Sequence, residues 1–286
     1  MNRNRALALA HISVFFMGIT GVLSVVSGFN AWQTTSYRVV FGAVVLMGYL
    51  AFRRSIKPPA PGKIALLLGL GLLLGVHWFA FFRSIQLLGV ILGSAMFGFS
   101  PIAIALIARL ILGERMSRAT LVAMVICTLG FIILGSDGIG ESSDIVWGLF
   151  WSVFSFLTFA LLVVVNRATV KTEAPLWVTT LEMLGAIPLA VWMTPGQWLP
   201  QNGEAWIYAL MLGLFCTGLA YAMYNTSMKI LSAPVAGLLL SLDVVYGISG
   251  GLIIGDTISA RQALGSLLIS NIIFIDLWRW LKSRKQ

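Results

Sequence analysis

Ten runs of about 20 apolar residues, separated by charge clusters and Pro/Gly stretches, constrain this chain more than any other feature. A run of that length crosses the roughly 30 Å hydrocarbon core of a bilayer as an α-helix. The runs are continuous, not alternating, which excludes a transmembrane β-barrel. Of the 286 residues, 59% are hydrophobic and 10% are charged. Soluble domains average about 45–50% and about 25%, so a water-soluble core is excluded as well. The expected fold class is an all-α membrane protein with ten transmembrane helices. Their expected spans are 5–27, 32–52, 64–84, 90–111, 117–135, 145–166, 175–194, 205–228, 233–254 and 259–280. The opening MNRNRALALAHISVFFMG has a basic start and an apolar run, as a signal peptide does. No small-x-small cleavage site closes it before it is long enough to span, so it reads as the first transmembrane helix.

The formal net charge is +9. If the N-terminus is cytoplasmic, sixteen Lys and Arg fall on the inside, and only Arg83 and Arg261 fall outside. That bias places both termini in the cytoplasm. The basic balance therefore reflects cytoplasmic links and calls for no nucleic acid. The expected external link 137–144 is acidic. Trp198, Trp206, Trp278 and Trp280 lie near helix ends, as interfacial aromatics do. Cys127 and Cys216 sit inside apolar runs and read as small core residues. No Cys/His spacing suits a metal, and no cofactor is expected.

The chain also repeats. Gly75, Trp78, Phe81, Ser84 and Leu88 recur as Gly218, Tyr221, Tyr224, Ser227 and Leu231 at one offset. Leu112-Gly113-Glu114 is answered by Ile254-Gly255-Asp256, and Arg38 with Gly42-Ala43 by Glu182 with Gly185-Ala186. The expected division is a first repeat over 1–136, the link, and a second repeat over 145–286. Each repeat holds five helices. An odd number forces the second copy into the membrane in the opposite sense, which is an architecture of secondary transporters.

These features resemble the EamA-type, two-repeat branch of the drug/metabolite transporter superfamily. The resemblance rests on the ten helices in two inverted fives, on Tyr37-Arg38 early in the second helix, and on Pro101 followed by Leu112-Gly113-Glu114-Arg115. Leu242-Asp243-Val244-Val245-Tyr246, followed by Ile253 to Asp256, completes it. The family often has L-E-P-V-Y there, and this chain departs from that with Asp243 and Val244. The resemblance implies export of amino acids or related small metabolites from the bacterial cytoplasm across the inner membrane, with proton exchange as the expected coupling. A passive facilitator or channel and, further off, an intramembrane enzyme are the alternatives. Monomer and dimer are equally open.

His77, Trp78 and Phe81 share one face of the third helix, with His77 about 20 Å from its inner end. Tyr221, Tyr224 and Asn225 follow on the eighth helix, with Tyr221 and Asn225 one turn apart. With Ser100 and Trp151 they are the expected substrate contacts, set against ordinary helix packing; His11 is a weaker candidate. Asp243 lies about 15 Å into the ninth helix. A lone carboxylate there costs several kcal/mol, so protonation, pairing or a wet cavity is expected, and with it a coupling role. Its repeat counterpart, Ser100 or Pro101, should mark a kink in helix four. Arg38 and Glu182 each lie about 10 Å from opposite surfaces, too far apart to pair, and read as gating or structural groups. Glu114 and Asp256 are expected to cap a helix or pair with Arg115, Arg118 or Arg261. Gly69, Gly71 and Gly75 read as a helix-packing stripe, not a nucleotide loop.

Overall fold

The computed structural model describes residues 1–53, 56–135, 143–193, 199–253, 259–261, 263–265 and 267–268. Every regular element among them is helical. The first half comprises α1 (Arg3–Val26), α2 (Ala31–Phe52), α3 (Pro61–Phe97), α4 (Ser100–Leu112) and α5 (Arg118–Gly135). The second comprises α6 (Ser143–Thr169), α7 (Pro175–Met193) and α8 (Gly203–Leu210), then a π-helical stretch Met211–Leu219. It continues with α9 (Ala220–Ser227), α10 (Ala233–Leu240) and α11 (Leu242–Ile253). Among the described residues, seven spans are long and apolar enough to cross a membrane. The link 137–144 and most of the expected tenth helix, with Ile254-Gly255-Asp256, lie outside the described residues or at their edge.

Local chemistry sets the ends. Asn30 and Gln33 form a reciprocal capping box that starts α2, with bonds of 2.9 and 3.0 Å. Gly113, left-handed at φ 65°, ends α4. α3 passes the expected end at residue 84 and turns at Gly89, whose φ of 79° and ψ of 167° only glycine adopts readily. The chain then returns with Gly93 lying against Ile85.

The fourth and ninth crossings are both interrupted at matching places. One helix stops at Phe97 and resumes at Ser100; the other stops at Leu240 and resumes at Leu242. Pro101 does not kink a continuous helix, as its sequence position suggested. It sits in the first turn of α4, where its missing N–H breaks no helical bond. Asp243 holds the corresponding place in the first turn of α11.

The halves interlock reciprocally. α2 packs on the π-helical stretch as α3 packs on α7, and α1 packs on α9 and α11 as α6 packs on α3 and α4. Exchanging the halves maps each contact onto another, as two inverted five-helix repeats require. Two contacts bring backbones together. A Cβ at Gly185 would lie 2.1 Å from the Leu68 carbonyl oxygen, and one at Gly71 would lie 2.3 Å from that of Glu182. Gly213 meets Phe41 and the Tyr37 carbonyl in the same way. Without a hydrophobic force between helices in lipid, such close packing is what holds them. Of the glycine stripe, Gly71 and Gly75 meet α7, while Gly69 has nothing within 4 Å.

Candidate functional site

Between the halves lies a small cavity of about 20 Å³. A water needs about 10–15 Å³ measured this way, so this conformation leaves space there for one or two waters. Its wall takes Arg38 from α2, His77, Trp78, Phe81 and Phe97 from α3, and Met17 and Thr20 from α1. The second half supplies Phe159, Tyr221, Leu240 and Asp243.

Arg38 is the organising group. Its side chain is 3% exposed. Nε donates to Thr217 Oγ1 at 2.8 Å, and Nη2 donates to the Cys216 carbonyl at 3.3 Å. The guanidinium lies 4.4 Å from the centroid of the Trp78 ring and 5.3 Å from that of Phe82. These contacts are hydrogen bonds and cation–π attraction, which hold a desolvated guanidinium without neutralising it. The π-helical stretch contributes directly. Thr217 Oγ1 donates to the Leu212 carbonyl five residues back, at 2.7 Å, which orients its lone pairs toward Arg38. By depth counting Arg38 belonged near a surface; its long side chain instead reaches inward to the cavity.

Trp78 and Tyr221, repeat counterparts, meet directly. Trp78 Nε1 donates to the Tyr221 hydroxyl at 2.8 Å, and the rings cross at 88° with centroids 5.2 Å apart. His77 lies 3.0 Å from the Ser155 carbonyl through Nδ1 and stacks on Phe159 at 4.8 Å. The Ser155 hydroxyl lies 3.1 Å from the same nitrogen, so Ser155 meets Nδ1 through both its carbonyl and its side chain. Asp243 lies in the first turn of α11, where the helix dipole favours a carboxylate. Gly18 allows that turn to approach α1: a Cβ there would lie 2.7 Å from the Asp243 carbonyl and 3.1 Å from Oδ1.

The other expected contacts lie elsewhere. Ser100 is buried at the start of α4. Tyr224 is buried, and its hydroxyl makes no hydrogen bond among the described residues. Asn225 is turned to α7, where Nδ2 donates to Thr179 Oγ1 at 2.9 Å. Trp151 joins an aromatic cluster outside the cavity, edge-on to Phe79, which stacks on Trp32 at 3.7 Å. Glu182 is 1% exposed beside Asn166, and neither carboxylate oxygen makes a hydrogen bond among the described residues. Pro101 does not line the cavity.

Sequence reasoning passed over Met17, Thr20, Phe97, Phe159 and Leu240. The offset of 143 that relates Trp78 to Tyr221 also relates Phe97 to Leu240, and it marks both as ends of half-helices. Nothing in the sequence distinguishes Phe159 from packing aromatics.

A polar cluster ties the halves together at the end of the bundle that carries the basic links. Glu114 Oε1 accepts from Arg167 Nε at 2.9 Å, and Oε2 accepts from the Ala233 N–H at 2.8 Å. Arg167 Nη1 donates to the Met228 carbonyl. The carboxylate thus caps the start of α10, and its ion-pair partner is Arg167, not one of the three arginines expected.

A small cavity between two inverted repeats of apolar helices fits the architecture of secondary transporters. The EamA-like transporter family matches residues 4–136 and again 146–275, and the chain belongs to that family. An uncharacterized transporter of Archaeoglobus fulgidus is 22% identical over 269 residues, covering 94% of each chain. The uncharacterized transporter YxxF of Bacillus subtilis is 23% identical over 186 residues, covering 63% of this chain and 59% of that one. A crystal structure at 18% identity superposes with a TM-score of 0.78 over 94% of this chain and 95% of its own, which shows the shared fold.

Proposed function

We propose that this multi-pass membrane protein exports small zwitterionic metabolites such as amino acids from the bacterial cytoplasm in exchange for protons. Both termini lie in the cytoplasm, and the protein alternates access by rocking its five-helix halves around the cavity. One arrangement carries this reading: Arg38 and Asp243 line a single small cavity, one from each half. Arg38 meets the carboxylate of the substrate, Asp243 meets its ammonium or a proton, and Trp78 and Tyr221 supply an apolar wall. Competition between ammonium and proton for Asp243 couples the two fluxes. The cavity has no room for a substrate in this conformation, which favours alternating access over an open pore. Glu182, Pro101, Ser100, Tyr224 and Asn225 belong in this account to the elements that move, and Trp151 to the outer closure.

The test is uptake of a panel of labelled amino acids into proteoliposomes, with and without a pH gradient. Accumulation driven by the gradient is expected for at least one zwitterion. Uptake of none under any gradient sinks the amino-acid reading. Uptake that equilibrates but never accumulates replaces it with passive facilitation.

A further inference from the structure

A second cavity shares no lining residue with the first and lies at the bundle end that carries the Glu114–Arg167 pair. Its volume is about 480 Å³ and its wall includes Arg3, Arg115, Ser117, Thr120 and Ser232. Arg3 opens α1, Arg115 and Ser117 lie in the link from α4 to α5, and Ser232 precedes α10, so both repeats contribute. No carboxylate lines it among the described residues. The nearby Glu114 is already held by Arg167 and the Ala233 N–H.

Two helices begin at this cavity. Ser117 precedes α5 and its Oγ accepts from the Thr120 N–H at 3.1 Å. Ser232 precedes α10, but its hydroxyl makes no capping bond there. Helix N-termini present partial positive charge and bind anions. The start of α10 is already capped by Glu114, so the start of α5 and two guanidiniums face this basin, with the Ser232 hydroxyl and the Ser117 and Thr120 hydroxyls, which bond each other at 2.8 Å. Its basic residues sit among the links that the charge bias places in the cytoplasm, where the leaflet surface is anionic.

We propose that this cavity binds the phosphate group of an anionic phospholipid, with Arg3 and Arg115 as the charged contacts and the Ser117, Thr120 and Ser232 hydroxyls around it. The bound headgroup bridges the first repeat to the start of α10 and stabilises the conformation in which this end is closed. The assignment does not depend on the transported substrate.

The experiment measures the thermal midpoint of the purified full-length protein in neutral detergent. Phosphatidylglycerol, phosphatidylcholine and inorganic phosphate are titrated separately. Phosphatidylglycerol is expected to raise the midpoint saturably, and phosphatidylcholine to leave it unchanged. Two lost cationic contacts in Arg3→Gln/Arg115→Gln should weaken phosphatidylglycerol roughly thirtyfold. Lys229→Gln, an exposed base outside the cavity wall, should keep wild-type affinity. Should the double variant fail to fold, Arg115→Gln alone, read by counting bound lipid in native mass spectrometry, decides the matter. Inorganic phosphate that displaces phosphatidylglycerol at equal concentration overturns the lipid as occupant and leaves a free-phosphate site. No phosphatidylglycerol effect, or equal loss in Lys229→Gln, overturns the site itself.

Discussion

Replacing Gly185 by alanine places a methyl group 2.1 Å from the Leu68 carbonyl oxygen and 2.8 Å from the Leu68 Cα. Both obstacles are backbone, so no rotamer relieves the clash, and α3 and α7 must separate by roughly 1 Å to restore ordinary contact. Overpacking of this kind costs about 1–3 kcal/mol. The damage reaches the cavity, because Gly71, on the same contact, lies two turns of α3 before Trp78. Moving α3 outward stretches the 2.8 Å bond from Trp78 to Tyr221 beyond useful length. Gly185→Ala should therefore lower both the thermal midpoint and transport per folded molecule. Gly69→Ala is the control. It lies on the same helix with nothing within 4 Å, so it should be neutral or gain up to about 1 kcal/mol of helix propensity. Midpoints in detergent and transport in liposomes, at matched protein amounts, test the pair. Equal behaviour of the two variants would refute the claim that backbone contact between α3 and α7 holds the cavity wall in place.

Trp78→Phe keeps the aromatic wall but removes the donor to Tyr221, worth about 1 kcal/mol; a several-fold rise in apparent KM with a near-normal midpoint is expected from transport kinetics. Thr217→Val leaves Arg38 Nε without its acceptor and should cut transport at least tenfold, since hydrogen bonds to charged groups carry about 1.5–3 kcal/mol. Glu114→Gln weakens the bonds that hold α10 and Arg167 together, so spin labels on the ends of α4 and α10 should report a larger open population at that end. An unchanged distance distribution would assign the pair to static capping.

The broad architecture was legible because the period and length of apolar runs are set by the bilayer itself. Nine expected crossings have described counterparts, and the end of α2 at Phe52 and the start of α7 at Pro175 match the reading to the residue. The interruption near Ser241 was less legible, since no proline or glycine marks it. The π-helical stretch was invisible in the sequence; its Thr217 hydroxyl and Cys216 carbonyl both accept from Arg38. Within the site, the offset that paired Trp78 with Tyr221 found two residues that meet. Depth counting locates Cα atoms, and it gave no sign that the long Arg38 side chain would line the cavity. Tyr224 and Asn225 share α9 with Tyr221, but Asn225 finds its polar partner on α7, at Thr179 Oγ1.

The central claim is that the cavity holding Arg38 and Asp243 is the transport site, and proton-driven accumulation by purified variants tests it most directly. Asp243→Asn should retain exchange of substrate across the liposome membrane but lose accumulation driven by a pH gradient. Arg38→Met, which removes the carboxylate contact and keeps an apolar side chain, should abolish both while leaving the protein folded. Wild-type accumulation in Asp243→Asn and wild-type substrate affinity in Arg38→Met would together contradict the account.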